Sequence, residues 1–181
     1  MKKKIAIITP SLANGGTERV SSLISKVLFR SGYDVDIFPV YQTIGYSFKG
    51  TLKPLNVKKK SPLILFYLLR AFFSLYIQLK INKHDLIIDF RSRKNTIYEI
   101  FFMKFIYPDV SKIVLTFHLS LIDKYIPRPI SAFVKLYNKC HACVSVSSSI
   151  NKKLELIGIK NAMTILNPID FDYIKKLSDH K

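Results

Sequence analysis

Lys4-Ile5-Ala6-Ile7-Ile8-Thr9, then Pro10-Ser11-Leu12-Ala13-Asn14-Gly15-Gly16, then Thr17-Glu18-Arg19-Val20 is the stretch from which the fold is read. The first six residues are largely apolar and β-branched without alternation, which suits a strand buried on both faces. Pro10 and the Asn-Gly-Gly cluster stop it in a turn. Thr17 offers a helix cap. Val20, Leu23, Ile24, Val27 and Leu28 then recur at three- and four-residue spacing as far as Ser31-Gly32, predicting a helix with that face buried.

The same alternation runs through the rest of the chain. Strands are predicted at Tyr33 to Tyr41, Asp85 to Phe90, Lys112 to Phe117, Ala142 to Val146 and Ala162 to Leu166, with a short extended piece near Leu55 to Val57. Between them, helices are predicted from Thr96 to Ile106, Ile130 to Asn138 and Ile150 to Ile157, besides a long apolar one within Pro62 to Ile81. Near-continuous apolar strands separated by helices point to an α/β class, a Rossmann-like, doubly wound and mostly parallel sheet. Ligands bind such sheets outside the carboxyl ends of the strands, so the candidate loops are Pro10 to Gly16, Tyr41 to Tyr46, Arg91 to Asn95, His118 to Lys124, Ser147 to Ser149 and Asn167 to Asp170.

At 181 residues the chain accommodates one domain of usual size. A hydrophobic fraction of 49 % with 6 Gly and 8 Pro excludes a disordered or collagenous chain. Lys and Arg number 29 against 12 Asp and Glu, a net charge of +17, so anionic partners are expected: nucleic acid, anionic lipid or phosphorylated metabolites. A nucleic-acid module fits poorly, because the basic residues are 23 Lys against 6 Arg spread along the chain and the aromatics sit in apolar runs. Two cysteines make no disulfide scaffold, and the start has no signal-peptide core, so a cytoplasmic protein is expected. Pro62 to Ile81 approaches spanning length but carries Arg70 near its centre. A mid-bilayer Arg costs about 2.5–3.5 kcal/mol, which favours a buried helix or one lying on an anionic membrane surface beside Lys58, Lys59 and Lys60.

Several residues on these loops could carry chemistry. Gly15 and Gly16 before a helix can bring backbone N–H groups against a diphosphate, although a plain strand-to-helix turn would also use them, and the spacing is neither a dinucleotide fingerprint nor a P-loop. His118 closes a buried strand, so its imidazole should emerge at the ligand edge as the catalytic candidate. Arg91 and Arg93 fall on one side of the chain if the preceding strand continues, where they could share an anionic ligand, or simply form a basic turn. His84, His141 and His180 are expected to face solvent. Cys140 and Cys143 have a C-x-x-C spacing with no second pair, so buried thiols and no metal site are expected. Ser147 to Ser149 can cap the helix that follows them.

In order along the chain, KIAIITPSLANGGTERV, KIVLTFH, ACVSVSSSI and TILNPIDF resemble the N-terminal half of family-4 glycosyltransferases, a likeness covering residues 3 to 172. Gly15-Gly16-Thr17-Glu18-Arg19 is similar to that family's G-G-x-E-R segment, and Asn167-Pro168-Ile169-Asp170 to its N-G/P-[IV]-D turn.

The resemblance implies one half of the GT-B fold and retaining transfer of a hexosyl group from a nucleotide-diphosphate sugar to a cell-surface glycan or lipid-linked acceptor, with no cofactor or metal. It places Gly15 and Gly16 at the donor's diphosphate or sugar and His118 beside the transferred sugar. The acceptor would then lie on this half; Arg91, Arg93 and Tyr46, which match no family-wide motif, are expected to contact it from their place on the candidate loops. The expected organisation is an acceptor-side domain over residues 1–170, with 171–181 a linker or the start of a donor-binding domain. The family's basic residues and paired glutamates for the donor belong to that second domain, so activity is expected to need a partner domain or chain. A non-catalytic acceptor or membrane-binding subunit is the alternative. Its expected place is the cytoplasm, peripheral to the inner face of the cell membrane.

Overall fold

The strands β1 (Lys4–Thr9), β2 (Asp34–Pro39), β3 (Thr51–Leu52), β4 (Leu86–Asp89), β5 (Ile113–Phe117), β6 (Ala142–Ser145) and β7 (Ala162–Thr164) pair side by side, every pair parallel, in the order β3-β2-β1-β4-β5-β6-β7. The computed structural model describes residues 2–58, 61–122 and 125–169. Expected boundaries at 170 and beyond, together with Lys59, Lys60, Lys124, Asp170 and His180, lie outside the described residues. All-parallel pairing demands crossovers; the helices α1 (Gly16–Arg30), α2 (Ile64–Asn82), α3 (Thr96–Phe101), α4 (Ile130–Tyr137) and α5 (Ser148–Leu156) supply all but that between β2 and β3, which is the irregular segment 40–50.

The chain runs outward from β1 to β3, then returns to place β4 on the other side of β1. That reversal puts the ends of β1 and β4, and the loops that follow them, next to each other at the carboxyl edge. It also sorts the helices. Val20, Ile24 and Leu28 of α1 pack on one face, against Ile7, Val35, Ile37 and Phe90. Ala71, Leu75 and Leu79 of α2, Phe102, Met103 and Ile106 after α3, and Phe133 and Leu154 of α4 and α5 join a larger cluster with Ala6, Ile8, Phe38, Ile87 and Leu115.

The element order agrees with the sequence reading, and the differences have local causes. Gly15, not Thr17, caps α1, and the helix buries Ser21, Ser22 and Ser25 while Val27 is exposed. Small hydroxyls let the helix sit close: Ser21 reaches Thr9 Oγ1 at 3.1 Å, Ser22 Oγ donates to the Ser47 carbonyl at 2.8 Å, and Ser25 Oγ accepts the Lys49 N–H at 3.1 Å. The third strand forms at Thr51–Leu52 instead of near Leu55 to Val57, although the N–H groups of Leu55 and Val57 still donate to the Pro39 and Val40 carbonyls. The helix expected from Thr96 to Ile106 keeps that span but turns π-helical over Phe102–Ile106. His84, expected in solvent, is buried with its Nε2 2.9 Å from Asp36 Oδ2. Lys4 and Lys53 share the same carboxylate. Burial would raise the Asp36 pKa, but the hydrogen bonds from Lys53 and His84 and the nearby lysine charges hold it below the usual carboxylate value. Both cysteines are buried as expected, each thiol pushed up to about 12 mainly by desolvation.

Candidate functional site

The loop after β1 is tied to the loop after β2. The Leu12 N–H donates to the Thr43 carbonyl at 3.0 Å, and the Leu12 carbonyl accepts the N–H groups of Gly45 and Tyr46 at 2.9 and 2.8 Å. Asn14, in the left-handed region at φ 64°, turns the chain into Gly15, which is extended and begins α1 without a side-chain cap. The N–H groups of Gly16, Thr17 and Glu18 belong to the first helical turn and have no acceptor within the helix. The Glu18 carboxylate folds back over Gly15, so that a Cβ there would collide with it. A Cβ at Gly16 would meet nothing within 4 Å. The glycine turn therefore offers an open strip of backbone at the positive end of a 15-residue helix, already complemented by one carboxylate.

His118 follows β5 at the same edge. Its ring stacks at a tilt of 31° on Phe90, with centroids 5.4 Å apart, and its Nε2 is buried without a hydrogen-bond partner among the described residues. Burial, and after it the charge of Arg93, lowers the imidazole pKa to about 4, so the ring is neutral at pH 7. It lines an apolar crevice of about 100 Å³ together with Val20 and Ile24 of α1, Thr116 and Asn167. Tyr125 links the two sides. Burial raises its hydroxyl pKa against the His118 backbone N–H and the Arg93 charge, and the Glu18 carboxylate adds to the rise. Val20 and Ile24 of α1 and His118 after β5 thus line one crevice, while Gly15 and Gly16, at the start of the same helix, are not among its lining residues.

The two arginines do share an anion, but an internal one. Arg91 Nη2 lies 2.8 Å from Asp89 Oδ2, and Arg93 Nη1 lies 3.7 Å from the same oxygen. The Arg93 side chain has no solvent exposure. It donates to the carbonyls of Thr116 at 2.8 Å, Arg91 at 3.0 Å and Tyr125 at 3.3 Å, and its guanidinium lies over the Phe117 and Tyr125 rings. The structure thus places Arg93 beneath the rim instead of on it. Arg91 is 11 % exposed at its side chain, and its guanidinium lies 3.4 Å from the Phe102 ring centroid. Tyr46 lies apart from His118, in a crevice of about 210 Å³ beside Arg19, Ser22 and Lys26 on the outer side of α1.

Four buried residues under the site were missed by sequence reasoning: Asp89, Glu99, Tyr107 and Tyr137. Tyr107 donates to Asp89 Oδ2 at 2.8 Å, and Tyr137 donates to Glu99 Oε1 at 2.9 Å. Burial alone would raise the Asp89 pKa, yet the charges of Arg91 and Arg93 hold it below the usual value. At Glu99 burial outweighs the same arginines, so its pKa is raised. The available signal was an aspartate closing an apolar strand with Arg-Ser-Arg behind it, a set of charges that cannot be buried unpaired.

No family model matches the sequence, and no curated protein matches it either. Solved structures do match by fold. MurG of Acinetobacter baumannii superposes with a TM-score of 0.55 at 12 % identity over 96 % of this chain and 48 % of its own. WaaB, a lipopolysaccharide outer core galactosyltransferase, superposes at 0.56 and 14 % identity over 92 % of this chain and 46 % of its own. A glycosyltransferase from Rickettsia africae ESF-5 superposes at 0.57 and 19 % identity over 99 % of this chain and 48 % of its own. The chain spans about half the length of each, and the shared fold is the Rossmann-like α/β half of a GT-B architecture.

Proposed function

We propose that the chain is the acceptor-side half of a retaining, family-4-type glycosyltransferase, acting on a nucleotide-diphosphate sugar and a glycan or lipid-linked acceptor in the cytoplasm. The observation that supports this reading is a neutral His118, its Nε2 without a hydrogen-bond partner among the described residues, lining one crevice with Val20 and Ile24 of the helix that the glycine turn begins, on a fold that known glycosyltransferases share. In it, the backbone at Gly15 and Gly16 approaches the donor diphosphate, and the Glu18 carboxylate moves off Gly15 as that anion arrives. A neutral imidazole at His118 can donate to or accept from a sugar hydroxyl without adding a positive charge to the site. Tyr46 and the exposed part of Arg91 contact the acceptor side, while Arg93 holds the rim from below.

Transfer also needs cationic groups that stabilise the departing diphosphate. The share of each neighbour that this chain covers supports their being supplied by a donor-binding half, either on the same polypeptide or on a partner chain. The test is a titration of isotope-labelled protein, with that half present, by a panel of nucleotide-diphosphate hexoses. Saturable shifts at the Gly16 amide and the His118 ring are expected. Binding that leaves both signals unmoved, or no binding across the panel, overturns the reading.

A further inference from the structure

One helix face has no partner among the described residues. Ala71, Leu75 and Leu79 turn α2 inward, and Phe72 fixes it by ring contacts to Phe101 and Phe102 at 5.4 and 5.2 Å between centroids. Outward, Leu65, Phe66, Leu69 and Phe73 form successive turns of one apolar stripe, each between 57 % and 66 % exposed. Phe105, from the π-helical turn, is 60 % exposed and stands across from this stripe. Between them runs an open groove of about 810 Å³ that includes Lys80 and Lys104 among its lining residues.

The charged residues that line the groove, Lys80 and Lys104, are both basic, and the nearest acidic residue in sequence to its lining is exposed Asp109, after Pro108. Along the chain no acidic residue falls between Asp36 and Asp85, whereas Lys58, Arg70, Lys80 and Lys83 do. On α3, which flanks the groove, Glu99 is buried at 1 % exposure. We propose that this face docks the protein peripherally on an anionic bilayer, with Leu69, Phe73 and Phe105 entering the interface and Lys80 and Lys104 at the headgroups. A second copy of the chain is a poorer occupant, because a self-complementary interface would gather Lys80 and Lys104 of both copies into one patch. By length and composition α2 could cross a membrane, but doing so would strip Ala71, Leu75 and Leu79 from the core and take Arg70 into the bilayer. This inference goes beyond the proposed transfer reaction and requires no nucleotide sugar, so its failure and that of the transfer reading are separable.

The purified chain is sedimented with phosphatidylcholine vesicles and with phosphatidylcholine–phosphatidylglycerol vesicles at low and high salt. Binding only to the anionic vesicles, released by salt, is expected. Lys80→Glu with Lys104→Glu is expected to weaken it at least about tenfold, and Phe73→Ser about tenfold. Both changes lie at exposed positions, and an unchanged thermal transition confirms that each variant folds. Equal binding to the two vesicle types, no binding to either, a solution dimer dissociated by Phe73→Ser, or retention in membranes through high salt and alkaline carbonate each overturns the proposal.

Discussion

Arg93→Met separates a scaffold role for Arg93 from a ligand-binding one. Methionine keeps most of the side-chain volume and removes the guanidinium from a position with no solvent exposure. The carbonyls of Thr116, Arg91 and Tyr125 lose a charged donor, and none can regain water without opening the end of β5. An orphaned buried acceptor costs about 1–3 kcal/mol. Breaking a buried ion pair costs about 3–5 kcal/mol, but Asp89 keeps Arg91 at 2.8 Å and Tyr107 at 2.8 Å, so the low end applies. We therefore expect a loss of about 3 kcal/mol, a large share of the usual stability of a domain. In urea unfolding, with an m-value of about 2 kcal/mol/M, the midpoint falls by about 1.5 M. The His118 pKa also rises from about 4, because one of its two depressing causes is gone, yet burial, the larger, keeps it below its ordinary value. A midpoint within about 0.2 M of the parent, with weakened acceptor binding instead, would refute the buried-scaffold assignment.

Gly16→Ala meets open space and adds helix propensity, so stability stays level or rises by up to about 1 kcal/mol. If Gly16 lies against the diphosphate, nucleotide-sugar affinity falls at least about tenfold by calorimetry; unchanged affinity would dismiss that placement. The His118 pKa, lowered to about 4, means that the unfolded chain takes up a proton before the folded one does. Its stabilising contribution is complete above the ordinary histidine value of about 6.5 and fades as pH falls toward 4. Denaturant midpoints across that window should show a smaller slope in His118→Gln than in the parent, and equal slopes would contradict the burial of the ring. Gly50 is at φ +114°, and a Cβ there would run into the Val35 carbonyl, so Gly50→Ala should cost about 2 kcal/mol in thermal unfolding. A variant as stable as the parent would show that the turn before β3 relaxes freely.

Element type and order could be read from the chain, because apolar runs of strand length and three- to four-residue spacing are local signals. Lys4–Thr9, Gly16–Arg30 and Ile113–Phe117 show it, each found within a residue or two of its expected limits. The loops that carry Gly15, Gly16 and His118 could likewise be placed at one edge, since the carboxyl ends of parallel strands share it whatever their order, but that Val20 and Ile24 line the crevice at His118 was not legible. Which side a charged residue faces was not legible. Arg93 and His84 read as surface residues, because what encloses them is distant in sequence: the Thr116 and Tyr125 carbonyls for Arg93, whose ion partner Asp89 is local, and Asp36 for His84. The serines of α1 were passed over for a similar reason: their value as buried residues comes from the closeness of the loop at Ser47 to Lys49. Hydrophobic periodicity is a property of consecutive residues and so belongs to the sequence. The burial of charges is a property of residues made neighbours by the sheet, and only the tertiary structure decided it.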